Sequence, residues 1–309
     1  MQFLKQVAFT IPILGWALRD RERAIRELQD LRKCIGYEPG TYASLYPNQD
    51  DIRARLNRLK KTSLADCPGV DVALDRQLQW LRKMAEYYPT QPFPEEQREG
   101  CHHYLKNDFF AHADSIFLHG MIRALQPRRI VEIGAGYSTA VMVTTNDDFF
   151  DRKIELTSIE PHPERLRRLL SDDDLRRMTF IRQSLQDVTE APWKQLQAND
   201  ILFTDSSHVL KCGSDVQTLF HDILPGLQPG VVIHLHDIGA QFEYPADWLN
   251  AGTACNEAYL LHSFLQFNNA FEILLWGPVA IEAFRDEVAK TMPLCLAHPG
   301  GSFWMRKTA

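Results

Sequence analysis

Three short segments carry most of the side chains able to do chemistry. Glu132-Ile-Gly134-Ala-Gly136-Tyr137-Ser138 places an acid two residues before a pair of glycines. Asp205-Ser-Ser-His208 sets an imidazole three residues after a carboxylate, and His234-Leu-His236-Asp237 packs two imidazoles and a carboxylate into four residues. Glycines at a tight turn let backbone approach a ligand, and a helix that follows presents free N–H groups. Carboxylates beside imidazoles serve a divalent ion or general-base chemistry.

The elements that must position these groups are legible from hydrophobic periodicity. After residue 99 short apolar runs alternate with helical stretches: 128–134, 154–160, 178–184, 200–206, 230–237, 271–277 and 301–307, with helices near 112–125, 137–147, 162–170, 213–224 and 255–267. Near-continuous apolar strands in alternation with helices predict an α/β fold, a doubly wound, seven-stranded, mostly parallel sheet covered on both faces and ending in an antiparallel pair. Residues 1–98 read as a helical N-terminal extension, a lid or an oligomerisation surface, with amphipathic stripes in 19–34, 50–61 and 72–88. Pro89, Pro92 and Pro94 form a linker to the domain of residues 99–309.

Composition narrows the function classes. The 309 residues hold 34 Lys+Arg and 40 Asp+Glu, a net charge of −6, with 45% apolar and 24% charged residues. That balance argues against a nucleic-acid binder acting by phosphate neutralisation. No run reaches the roughly 18–20 apolar residues of a membrane helix. The segment 8–18, AFTIPILGWAL, is short, holds Pro12 and Gly15, and is followed by RDRER, so it reads as a packed N-terminal segment rather than a secretory signal. The six cysteines lack any C-x-x-C spacing and read as reduced thiols of a cytoplasmic protein.

In such a sheet ligands lie beyond the carboxyl ends of the strands. The turn at Gly134 and Gly136 departs from the dinucleotide fingerprint, because Thr139 stands where a third glycine would be and Glu132 precedes it. An acid there suits a positively charged ligand better than a pyrophosphate; S-adenosylmethionine carries an ammonium and a sulfonium and no phosphate. Glu160, ending the second strand before Pro161, can accept both ribose hydroxyl protons of that ligand or of NAD. Ser184 and Leu185 would lie near the adenine.

From Pro127 onward the chain resembles a class I S-adenosylmethionine-dependent methyltransferase. The segments RRIVEIGAGYSTAVM, LTSIEPHPERL, DILFTDSSHVLKCGSDV, LPGLQPGVVIHLHDI, FEYPADW, NEAYLLHSFLQ and PGGSFWMRK resemble its family-24-type bacterial branch, as do the upstream CPGVDVALDRQLQWL and QPFP. The resemblance implies a Rossmann-like methyltransferase fold, donor contacts at Glu132, Gly134, Gly136, Tyr137, Ser138, Glu160, Pro161, Ser184, Leu185 and Asp205, and transfer to a hydroxyl of a small molecule or sugar. Related enzymes that use magnesium hold the ion with acids at the fourth and fifth strand ends, which here would be Asp205 and Asp237 with His236. The His-Asp pair departs from their usual Glu-Asp or Asp-Asn and leaves a transition metal open. Without a metal, His208 or His236 would take the hydroxyl proton, oriented by Asp205 or Asp237. Joint use of His236 and Asp237 requires the chain to turn there.

Other residues have structural readings. His234 shares a strand face with His236 and reads as a packed histidine. Ser214 or Asp215 reads as a helix cap, Glu257 as a helix-dipole partner, and Arg165, Arg167 and Arg168 as a solvated face. Phe242, Glu243, Tyr244, Pro245 and Trp248 would wall the acceptor site or form a packed loop, and residues 107–114 would close over the cofactor. A nicotinamide oxidoreductase, N- or C-methylation, a non-catalytic binding module and a homodimer remain as alternatives at this stage.

Overall fold

The computed structural model describes residues 12–309, which fall into two compact units: residues 12–57 with Leu249–Ala254, and Arg58–Trp248 with Cys255–Ala309. The smaller unit carries helix α1 (Pro12–Cys34) and most of α2 (Gln49–Leu59). Asn48 starts α2 by accepting the Asp50 and Asp51 N–H groups at 3.0 and 2.9 Å. Residues 8–11 of the N-terminal apolar run lie outside the described residues, and 12–18 belong to α1. Among the described residues no helix is long and apolar enough to cross a membrane.

The larger unit is built on seven strands, each inside its predicted run: β1 (Arg129–Ile133), β2 (Glu155–Ile159), β3 (Thr179–Ile181), β4 (Ile201–Thr204), β5 (Val232–Leu235), β6 (Phe271–Trp276) and β7 (Phe303–Lys307). Their order is β3-β2-β1-β4-β5-β7-β6. Pairing is parallel from β3 through β5, and β7 runs antiparallel to both neighbours. Every residue of β4 and β5 is buried, which is why their runs are apolar without alternation. The order reverses between β1 and β4, so the crevice beyond these two strands is where the fold places ligands.

Helices α3 (Leu74–Ala85), α4 (His112–Leu125), α5 (Tyr137–Phe149), α6 (Leu166–Leu169), α7 (Asp172–Arg176), α8 (Asp215–Thr218), the first part of α9 (Ala246–Asn250), α10 (Glu257–Leu265), α11 (Gly277–Ala283) and α12 (Arg285–Thr291) belong to the unit. The helix expected near 213–224 is present over 215–226; it is α-helical at Asp215–Thr218, widens at Leu219–Ile223 and tightens at Leu224–Gly226, where Pro225 lacks an N–H to donate. Gly277-Pro278 starts α11, because proline is tolerated in a first turn.

Residues 58–98, drawn from composition as part of the extension, include α3, which packs on the sheet edge within the larger unit. The buried Gln77 side chain donates to Val72 O at 2.7 Å and accepts the Trp276 N–H of β6 at 2.9 Å. Arg76 donates to Ile273 O at 3.0 Å. These bonds occupy backbone groups of an edge strand that would otherwise template foreign pairing. α3 also meets α4 closely: a Cβ added at Gly120 would stand 2.9 Å from Met84 Cβ. Gln77→Ala leaves the buried Trp276 N–H without its acceptor. A loss of about 1–3 kcal/mol is expected, measured as a lower urea midpoint with an unchanged transition slope.

Candidate active site beyond the strand ends

A cavity of about 1160 Å³ opens beyond the carboxyl ends of β1, β2, β4 and β5. Sites for one small ligand span roughly 300–1,000 Å³, so there is room for a donor and a small acceptor together. Its walls include Gly134, Gly136 and Tyr137 from the first loop, Glu160 and Pro161 after β2, Ser184 and Leu185 after β3, Asp205 and His208 after β4, and His236 and Asp237 after β5.

Gly134 holds φ +82°, and a Cβ there would lie 1.8 Å from the Asp205 carbonyl oxygen. Only glycine lets the β1 and β4 loops approach this closely. The approach is tied by Asp205 N to Ile133 O at 2.9 Å and Gly134 N to Ile159 O at 3.0 Å. Glu160 accepts from Ala135 N at 3.3 Å and His162 N at 2.6 Å, so its carboxylate stands between the two loops.

Glu132 and Ser138, expected to touch the ligand, do not line the cavity. Glu132 is closed beneath the turn and accepts the hydroxyls of Ser138 (2.7 Å), Thr139 (2.7 Å) and Ser158 (2.6 Å). Thr139 Oγ1 in turn accepts the Gly136 N–H at 2.9 Å. The residue that breaks the dinucleotide fingerprint therefore carries the link from the buried acid to the turn. Burial pushes the Glu132 carboxyl up to about 7, against the lowering pull of its three hydroxyl partners.

The chemically dense part lies where β4 and β5 end. His208 Nε2 stands 3.4 Å from Asp205 Oδ1 and 3.3 Å from Asp237 Oδ2, while Nδ1 meets Glu257 Oε2 at 2.9 Å. His236 Nδ1 is 3.4 Å from both Asp205 Oδ1 and Asp237 Oδ1, and its Nε2 is 3.4 Å from Asp114 Oδ2. Asp237 meets His236 because the chain leaves the strand there at φ +58°. His208, at φ +57°, is held by Asn256 N and Glu257 N bonding its carbonyl at 2.9 and 3.2 Å. Burial disfavours charge on both imidazoles, yet the surrounding carboxylates outweigh it and raise both well above the usual histidine range. Burial likewise works against Asp205, but the two imidazoles hold its carboxyl well below the usual range.

Among the described residues, the groups that converge with metal-ligand spacing are Asp205, His208 and Asp237, whose ligand atoms lie within 4.8 Å of one another. The expected set had His236 in place of His208. His236 is instead buried against Asp114, which is itself held by Gly301 N and Ser302 N at 3.0 Å and Ser302 Oγ at 2.6 Å. Sequence reasoning passed over Asp114 as a site residue and gave Glu257 only a dipole role. Both are brought in by elements far away along the chain.

Other readings resolve individually. His234 is a packed histidine, stacked on Phe203 at 4.0 Å, and burial pushes its pKa well below the usual range. Ser214 caps α8 by accepting Gln217 N at 3.1 Å. Phe242, Glu243 and Tyr244 belong to a packed loop: Phe242 stacks on His262, and Tyr244 Oη accepts the Ala258 N–H at 2.9 Å. Only Pro245 and Trp248 of that segment reach the cavity. Arg165, Arg167 and Arg168 are exposed, as the solvated-face reading expects, and Arg165 also reaches the cavity rim, its guanidinium 4.0 Å over the Phe109 ring.

Folded Glu132 keeps its proton to about pH 7, whereas an unfolded carboxyl loses it near 4.5. The stability it lends is complete below the lower value and drains as pH rises through the upper one. Glu132→Gln removes this drain, on the order of 3 kcal/mol. The expected result is that the wild-type melting midpoint falls relative to the variant's between those two pH values.

A family profile described as a methyltransferase domain matches residues 131–238, the stretch holding β1 through β5. An uncharacterized protein of Archaeoglobus fulgidus is 31% identical over 169 residues, covering 53% of this chain and 76% of the relative. Among solved structures, the chain resembles the SAH-bound methyltransferase PaMTH1 of Podospora anserina (16% identity, 86% of this chain and 100% of that one, TM-score 0.42). It also resembles the O-methyltransferase TomG of Streptomyces achromogenes, solved with SAM (15% identity, 75% and 90%, TM-score 0.40). At such identities and scores these two structures carry no argument. The sheet order itself is informative: an antiparallel β7 stands between β5 and β6, unlike the dinucleotide order 3-2-1-4-5-6. The domain match lies on the strands that build the cavity, so residues 131–238 are a methyltransferase domain of the class I, S-adenosylmethionine-dependent kind.

Proposed function

We propose that the enzyme methylates a hydroxyl of a small polar molecule or sugar, with the reaction centred on Asp205, His208, His236 and Asp237. One observation carries this reading: these four groups share a cavity with the Gly134 turn and Glu160. Bound S-adenosylmethionine would supply an electrophilic methyl group on a sulfonium. Gly134, Gly136 and Tyr137 shape the wall for its methionyl end, Glu160 takes the ribose hydroxyls, and Ser184 and Leu185 line the adenine side.

The chain's own groups then handle the proton. With only carboxylates around it, His208 holds a proton and cannot serve as a base. Asp205 and Asp237, once they face a sulfonium, stabilise the imidazolium less, so His208 releases its Nε2 proton to solvent as the donor binds and Nε2 can then take the acceptor's hydroxyl proton. Glu257 keeps Nδ1 engaged, so Nε2 is the nitrogen presented. A positioned base of this kind contributes roughly 10²–10⁴-fold, and alignment of nucleophile with methyl carbon contributes the remainder.

A second reading is favoured by the donor set. The convergence of Asp205, His208 and Asp237 fits a divalent ion. A mixed nitrogen and oxygen set suits a transition ion better than magnesium. Such an ion would supply Lewis acidity that lowers the hydroxyl's pKa.

The test is incubation with methyl-labelled donor and a small-molecule extract, followed by mass spectrometry of labelled products. Alkyl ethers are expected, and label found only on nitrogen or carbon overturns O-methylation. On the acceptor so found, His208→Gln is expected to cut turnover by about 10²–10⁴-fold while donor affinity is retained. Full turnover in excess chelator removes the metal reading, and recovery only on metal add-back removes the metal-free one.

A further inference from the structure

Asp114 reaches the reaction centre from the first turn of α4, and only 2% of it is exposed. A carboxylate so enclosed has to be met by fixed partners. Its Oδ1 accepts Gly301 N and Ser302 N at 3.0 Å each and Ser302 Oγ at 2.6 Å. Its Oδ2 meets His236 Nε2 at 3.4 Å. One oxygen is thus tied to the chain just before β7, and the other is turned to an imidazole.

The His236 ring is held from several sides. Nε2 has Asp114 behind it, Nδ1 stands 3.4 Å from both Asp205 Oδ1 and Asp237 Oδ1, and the Phe110 ring lies 5.0 Å from its own. Nδ1 therefore spans the two carboxylates that flank His208 Nε2 at 3.4 and 3.3 Å. The turn that binds Asp114 is also packed on Asp237. A Cβ on Gly301 would lie 2.7 Å from Asp237 Cα, and Ile238 N donates to Gly301 O at 2.9 Å. At Gly300, φ +67°, a Cβ would collide with the Asp114 carboxylate. Two consecutive glycines let one turn touch Asp114 and Asp237 together.

An imidazole engaged through one nitrogen has its orientation set for the other. We propose that Asp114 is a positioning residue for methyl transfer: through His236 it fixes the spacing of Asp205 and Asp237, and thereby the place where His208 Nε2 meets the acceptor. This rests on the reading that His208 takes the acceptor's proton. His208 is then set from two directions, by Glu257 directly at 2.9 Å and by Asp114 at one remove.

Nitrogen-15 NMR of the histidine rings tests this on the protein alone, with neither donor nor acceptor added. His208→Gln and His236→Gln assign the two rings. Asp114→Asn keeps the shape of the side chain and removes its charge. It is expected to move the ring-nitrogen signals of His236 and also those of His208, whose own partners are Asp205, Asp237 and Glu257. In the His236→Gln background the same substitution is expected to leave His208 where it was. Unmoved His208 signals in Asp114→Asn, or equal movement with and without His236, overturn the proposal. If Asp114→Asn does not fold, Ser302→Ala removes the shortest bond to Oδ1 and leaves Oδ2 untouched; it is expected to move the same signals by less, and unmoved signals again overturn the proposal. On an acceptor found by methyl labelling, Asp114→Asn is expected to lower kcat about 10- to 100-fold with KM within about twofold, and the Asp114→Asn/His236→Gln pair to be no slower than His236→Gln alone. Additive losses overturn the role of His236 as intermediary. Full turnover by His208→Gln overturns the assignment of the base, while the ring-nitrogen signals still decide whether Asp114 sets His208 through His236.

Discussion

Carboxylates packed where two parallel strands end must be compensated or they will not stay charged, and that requirement organises this site. Asp114, Asp205, Asp237 and Glu257 surround only His208 and His236. Burial opposes charge on Asp114, Asp205, His208 and His236, and their mutual attraction, helped at Asp114 by bonds from Ser302 and Gly301, overrides it. Removing one partner from such a network leaves another buried and unpaired, which costs more than the bond itself. Two residues are held at positive φ, His208 and Asp237, a strain tolerated when surrounding bonds over-determine the conformation.

The same centre ties distant elements together. Asp114 reaches it from α4 and is fixed by the backbone just before β7. Glu257 reaches it from the first turn of α10, which also bonds the His208 carbonyl. Gly134 presses the β1 loop onto Asp205 from the other side. A cation arriving in the cavity therefore meets carboxylates already aimed at it, with the reorganisation done during folding. Glu132 stands apart: desolvated and surrounded by hydroxyls, it supports the turn from below rather than facing the ligand.

Hydrophobic periodicity located all seven strands and the helix 112–125, because buried parallel strands require continuous apolar runs and amphipathic helices a fixed stripe. It did not resolve the change from α to wider and tighter turns along 215–226, nor the helix that Gly277-Pro278 starts. The rim of the sheet was legible from position alone: Gly134, Gly136, Glu160, Ser184, Leu185, Asp205, His208, His236 and Asp237 all face one cavity. Side-chain direction was not legible, so Glu132 and Ser138 were expected in the cavity. An acid ending a run of hydroxyl-bearing neighbours, Ser138, Thr139 and Ser158, was the overlooked sign that Glu132 is enclosed.

By itself the sequence determined the strand–helix alternation, the glycine turn and the strand-end acids, since each depends on local spacing and on burial of one face. Tertiary structure alone decided which of those acids meet which imidazoles. Asp114, His208, His236 and Glu257 lie far apart in the chain, and electrostatic compensation in a buried cluster acts through space at 3–4 Å, a distance no residue spacing encodes.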